Sequence, residues 1–242
     1  MELPGLIATA LPEELAAILR RTRGARRERG PAPAWLGTLG GRPVRIACTG
    51  AGPRRAGRVL DALLSQPAAL VLGAGVAGGL SSELRRGEVL FGRSVRDEDG
   101  EAPAPDAAWG TRARSLGAQP AVFVSVPRIV TSASARARLR DGLPQDAVAS
   151  VDMESAAWAR VASRRGSRCL VLRAISDTAS EELPGYLAAC VDGEGALDRT
   201  RVVGRALLRP ASVPGLLRLR RHTHQAAERL AGFLEALLGM EA

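Results

Sequence analysis

The stretch from Val148 to Ala179 reads VASVDMESAAWARVASRRGSRCLVLRAISDTA, and it constrains the fold more than any other. Residues 148–153 are short and β-favouring, 155–165 are rich in helix formers with Gly166 as a stop, and 169–175 form a second apolar run. That order predicts strand, helix, strand, and so an α/β chain. Each predicted strand ends in a carboxylate, Glu154 after the first and Asp177 after the second. In open α/β sheets ligands lie at the carboxyl ends of strands. Glu154 starts a helix, where the dipole favours its anion. Asp177 follows an apolar strand, where burial favours its protonated form. An anion and an acid in one cleft are what cleavage at a sugar's anomeric carbon requires: one steadies the cationic ring and the other protonates the leaving group. Taken singly, each acid has an ordinary explanation, as a helix-start residue or a loop opener.

The words D-M-E-S-A-A (152–157) and R-A-I-S-D-T-A (173–179) together resemble the signature of the nucleoside phosphorylase/nucleosidase superfamily. Within it, the chain looks like the methylthioadenosine/adenosylhomocysteine nucleosidases and the hopanoid-associated nucleoside phosphorylases. The resemblance implies a three-layer α/β/α fold around a mixed twisted sheet, a homo-oligomer, and cleavage of a purine, adenosine-type nucleoside. By the family's roles, Asp177 protonates the departing base with Ser176 orienting it. Glu154 holds the ribose hydroxyls, and Met153 packs under the sugar.

Further matches lie upstream. G-A-G-V-A-G-G-L (73–80) with G-E-V (87–89) is similar to the family word whose backbone lines the base pocket, which assigns Ala77 and Gly78 to that wall. Near the start, L-P-E-E (11–14) loosely resembles the segment whose last Glu activates water, making Glu14 the candidate base and Glu13 a weaker substitute. Read as residues alone, both are acids suited to a helix N-terminus. After the strand predicted at 121–130, Ala135 stands where the nucleosidases carry a base-stacking aromatic, and Arg136 follows it. Either Arg136 is a candidate to stack on the purine instead, or the pocket is open to a larger substrate. The turn T-G-A-G-P-R-R (49–55) opens a helix where Arg54 and Arg55 are candidates for phosphate, although a solvent-facing position is favoured. The phosphorylases' Arg and Ser are replaced here by Gly73 and Val76, so water is favoured over phosphate as nucleophile.

Charge and composition narrow the classes. The net charge is +9, and all 34 basic residues are arginines. Such a balance admits nucleic acid, anionic lipid or phosphate-bearing ligands as partners. Aromatics at 3% argue against a base-stacking single-strand binder, and no nucleic-acid partner is expected. Cys48, Cys169 and Cys190 have no C-x-x-C spacing and read as free thiols of a reducing cytosol. No apolar run approaches the roughly 20 residues of a membrane span. His222 and His224 have no ligand cluster around them, so neither metal nor cofactor is expected.

Residues 1–190 are expected to form the catalytic domain and 191–242 a helical extension of it, with a turn at Asp192-Gly193. In that extension Leu230, Phe233, Leu234, Leu237 and Leu238 share one helical face, and Arg218, Arg220, Arg221 and Arg229 give it a basic side. Packing on the domain is the ordinary expectation, and peripheral contact with the inner membrane face is the sharper one. Arg20–Pro33 is expected to be a surface loop. Two rivals remain. Gly73-x-Gly75-x-x-Gly78 meets the bare dinucleotide fingerprint, with Asp97 suitably placed for a dinucleotide-dependent oxidoreductase. A basic nucleic-acid or membrane-binding module rests on charge alone.

Overall fold

A computed structural model describes residues 5–30, 32–65, 68–190, 198–209 and 212–240. The apolar runs become strands: β1 (Gly5–Thr9), β4 (Arg42–Cys48), β5 (Leu70–Gly79), β6 (Val89–Asp97), β8 (Gln119–Ser125), β9 (Ala149–Asp152) and β10 (Arg168–Asp177). In one mixed sheet, β5 pairs in parallel with β1 and β10 and antiparallel with β9. Further pairings β10–β6, β6–β8 and β8–β9 close a ring of five strands on one side of the sheet. The open side runs β5-β1-β4-β3-β2, where β2 is Arg23–Glu28 and β3 is Ala34–Leu39. A two-residue strand, β7 (Gly100–Glu101), pairs with the end of β6.

Helices cover both faces, giving the expected three layers. Helices α2 (Pro53–Leu63) and α5 (Ser155–Arg164) bury Ala56, Leu60, Leu63, Trp158, Val161 and Ala162 on one face. On the other face α1 (Pro12–Arg21), α3 (Ala107–Ser115) and α7 (Val213–Gly239) bury Leu15, Ile18, Trp109, Leu230, Leu234 and Leu237. Two further helices, α4 (Ala133–Asp141) and α6 (Arg199–Leu207), lie outside this double layer. The apolar face of the last helix is thus as read, with Leu238 also buried and Phe233 half-buried. Pro214 lies in the first turn of α7, where its missing N–H costs no helical hydrogen bond. The turn at Asp192-Gly193 lies outside the described residues.

The expected loop at 20–33 is instead the end of α1 followed by β2, hydrogen-bonded antiparallel to β3. R-G-A-R-R-E carries no apolar alternation because it forms a sheet edge with both faces wet, and its arginines discourage further pairing. Glu28 in it pairs with Arg45 at 2.6 Å.

The dinucleotide rival is overturned by the same strands. Its fingerprint requires a strand, a tight turn and then a helix, whereas Gly73, Gly75 and Gly78 all lie inside β5. These positions need small residues for another reason: side chains cross the strand there. A Cβ at Gly73 would stand 2.7 Å from the Trp158 ring, one at Gly75 would stand 2.9 Å from Glu14 Oε1, and one at Gly78 would stand 2.9 Å from Asp177 Oδ2. Asp97 is engaged by Arg160 at 2.7 Å.

Candidate active site

At the carboxyl ends of β1, β5, β9 and β10 lies a cavity of ≈180 Å³. Its wall includes Glu14, Val76, Ala77, Gly78, Arg136, Met153, Glu154, Ser176 and Asp177. Eight of the candidate residues therefore meet in one hollow. Glu154 and Asp177 do not come from neighbouring strands, however, because β5 separates β9 from β10. Arg54 and Arg55 are exposed and do not line the cavity. Arg54 faces a larger groove of ≈620 Å³ along α2 and α5, which holds none of the buried acids and shares only Met153 with the cavity. The favoured solvent-facing reading of both arginines agrees with this placement. Glu13, one residue from Glu14, is outside the cavity wall.

Each acid is held differently. Glu14 is buried, and its carboxylate accepts three backbone N–H groups: Ala10 at 2.9 Å, Leu11 at 2.8 Å and Val76 at 2.9 Å. A carboxylate offers about four lone-pair positions, so one is left over for a ligand or water. Burial raises its pKa, against the pull of Arg173 and the three amides. Glu154 sits at the N-cap of α5, but its side chain does not cap that helix; Oε1 accepts the Gly52 N–H at 2.8 Å across the cleft. The dipole that favours its anion does not by itself set its charge. Burial dominates and lifts its pKa from 4.5 to about 7, although Arg173 lowers it.

Asp177 is buried at the end of β10, where a register shift between Ile175 and Asp177 turns its side chain inward. Its Oδ1 accepts from Ser176 Oγ at 2.5 Å, and its Oδ2 pairs with Arg136 Nη2 at 2.5 Å. Burial raises its pKa as expected, with Arg136 and Ser176 pulling the other way.

That pairing gives Arg136 a partner that sequence reasoning had not assigned to it. The side chain is 1% exposed, and besides Asp177 it donates to the Val130 and Thr178 carbonyls. These partners engage its N–H edge, and only Nε is left without one among the described residues.

Sequence reasoning assigned no role to Arg173 or Asp152. Arg173 is fully buried, with Nε 2.7 Å from Asp152, Nη2 3.8 Å from Glu154, and its guanidinium over the Trp158 ring. Ser155 Oγ and Ser125 Oγ complete the Asp152 shell. The available signal was a charged residue in the middle of the apolar run C-L-V-L-R-A-I, which a buried strand tolerates only when the charge is paired.

The titration of Glu154 predicts a stability profile. The folded carboxyl keeps its proton to about 7, whereas an unfolded one releases it near 4.5. The stability this contributes is therefore full below the ordinary glutamate value and gone once pH passes about 7, an interval worth on the order of 3 kcal/mol. Thermal melting across that interval should show wild-type stability falling as pH rises and Glu154→Gln reducing that slope, the remainder being carried by Glu14 and Asp177, whose pKa values burial also raises. Equal slopes in the two proteins would contradict the assignment.

Four buried carboxyls and the buried guanidinium of Arg136 around a ligand-sized hollow at the carboxyl ends of strands, with Arg173 behind them, define an α/β enzyme acting on a small molecule. The model of the phosphorylase superfamily matches residues 5–194, and the chain belongs to that superfamily. It is an enzyme of the nucleoside hydrolase or phosphorylase kind. The 5′-methylthioadenosine/S-adenosylhomocysteine nucleosidase of Shewanella oneidensis is 25% identical, the match covering 74% of this chain and 86% of that protein. Solved structures share the fold, two of them as follows. One is the Neisseria meningitidis nucleosidase of the same name in complex with methylthio-immucillin-A, with TM-score 0.75, 21% identity and 98% of each chain covered. The other is the futalosine hydrolase of Helicobacter pylori, with TM-score 0.74, 20% identity and 97% of each chain covered.

Proposed function

We propose that the enzyme hydrolyses the N-glycosidic bond of a purine nucleoside with an adenine-type base. The observation that carries this is the single cavity lined by Glu14, Glu154 and Asp177. In the proposed step the C1′–N9 bond breaks, and its electron pair goes to the base, which takes a proton from Asp177. Ser176 orients that carboxyl. Water adds to C1′ and yields its proton to Glu14. Glu154, in the anionic form that a pKa of about 7 leaves partly populated at neutral pH, accepts from the ribose hydroxyls, and Met153 supports the sugar. Ala77 and Gly78 let the base lie close to β5, because a larger residue at Gly78 would meet the acid itself. The excess of carboxylates over guanidiniums favours the cationic sugar of the transition state.

Water rather than phosphate is supported by where the cations are. Arg136 is bound to Asp177, and Arg173 is bound to Asp152. Arg54 and Arg55 lie outside the cavity, and Arg128 stands at its exposed rim. A phosphate dianion would meet Glu14 and Glu154, with only Arg128 at the rim to attract it. Incubation with adenosine, with and without phosphate, tests this. Free ribose formed at the same rate in both is expected, and phosphate-dependent ribose-1-phosphate would establish phosphorolysis instead.

A lipid-linked nucleoside such as adenosylhopane fits the apolar part of the wall, Leu11, Ile129, Val130 and Leu183. The proposal includes residues 191–242 as a helical extension of the catalytic domain, which the burial of α7 in the second core supports. It also includes a homo-oligomer, which rests on the resemblance alone.

A further inference from the structure

Between Arg199 and Ala227 the sequence has seven arginines and no Asp or Glu. The structure places this segment in α6 and the first half of α7, where no described residue of α7 before Ala226 is fully buried. Four large apolar side chains are exposed among the described residues. Three of them stand here: Leu207 at 77%, Leu208 at 82% and Leu217 at 59%. Arg205, Arg209, Arg218, Arg220 and Arg221 are exposed around them and pair with no acid among the described residues. An ordinary solvated helix face mixes acids with its bases and scatters its leucines singly. This corner does neither.

We propose that the α6–α7 corner docks on an anionic lipid bilayer, with Leu207, Leu208 and Leu217 entering the interface and the arginines meeting the headgroups. Charge complementarity selects this occupant, since arginines without acids attract an anionic surface and repel a second copy of the same corner. Among the described residues no helix is long and apolar enough to cross a membrane, so the contact is peripheral.

The corner is also coupled to the cavity. Its inner side is a small core of Tyr186, Leu187, Cys190 and Val202, with Val213, Leu216 and Leu219 of α7 packed on it. Ile129 and Leu183 pack on the same core and line the cavity. Docking therefore leaves only this small core between the bilayer and the cavity wall. That clause rests on the reading of the cavity as the active site; the docking itself does not.

The test uses the full chain with phosphatidylcholine vesicles, with and without phosphatidylglycerol. Co-sedimentation with the anionic vesicles alone is expected, weakening as salt rises. Replacing any one of Arg205, Arg209, Arg218 or Arg220 by Gln should lower partitioning about fivefold. Leu207→Glu with Leu208→Glu should lower it by about tenfold or more, with the rate on a water-dissolved nucleoside unchanged. Equal binding to neutral vesicles, or undiminished binding of the double-Glu variant, would overturn the proposal. So would a concentration-dependent dimer that the double-Glu variant abolishes while vesicles stay unbound, which would assign the corner to a second copy.

Discussion

Asp177→Asn is expected to lower the rate of base release by roughly 10²–10⁴. Asparagine cannot donate a proton to the departing purine, and no other acid in the cavity is placed at the end of β10. The ion pair with Arg136 adds a second consequence. Removing the charge of Asp177 leaves a guanidinium buried at 1% exposure with a weaker partner. Loss of one partner of a buried pair costs about 3–5 kcal/mol, and the variant belongs at or below the lower end because the asparagine oxygen still accepts from Nη2. Unfolding should therefore show Asp177→Asn folded but destabilised. Adding Arg136→Leu should restore much of the stability and none of the rate. In the Arg136→Leu single variant, Asp177 loses the cation that lowers its pKa, so the alkaline limb of the rate profile should move to higher pH. Wild-type base release by Asp177→Asn would remove the acid assignment, and a limb that stays in place would remove the role given to Arg136.

Glu14→Gln is expected to bring a comparable loss, roughly 10²–10⁴ in rate, with an acid limb set by a carboxyl whose pKa burial has raised. Here the competing explanation is structural, because Glu14 also ties the start of α1 to β5 through three amides. A glutamine must turn its NH2 toward at least one of those donors, at a cost of about 1–3 kcal/mol. Rate per folded molecule separates the two roles. If Glu14 only holds the backbone, the folded fraction of the variant will turn over at the wild-type rate. If it activates water, the folded fraction will be nearly silent, and phosphate will not rescue it.

Much of this arrangement was legible from local pattern. The words around Glu154 and Asp177 carried the strand–helix–strand, because strand period, helix propensity and a terminating glycine are properties of contiguous residues. Glu14, Met153, Ser176, Ala77 and Gly78 were located through the resemblance, and the fold brings them to one cavity. The glycines of β5 were misleading as a fingerprint, since a list of small residues does not say what crosses above them. The edge strand β2 was missed because its pairing partner, not its composition, makes it a strand.

The sequence by itself thus determined the class of fold and put two carboxylates at strand ends. Only the tertiary structure decided which cation faces which acid: Arg136 on α4 meets Asp177 on β10, and Arg173 meets Asp152 and Glu154. The reason is electrostatic range inside a protein. A buried carboxyl's protonation is governed by charges a few ångströms away and by the water it has lost, and neither distance is written in the spacing of residues along the chain.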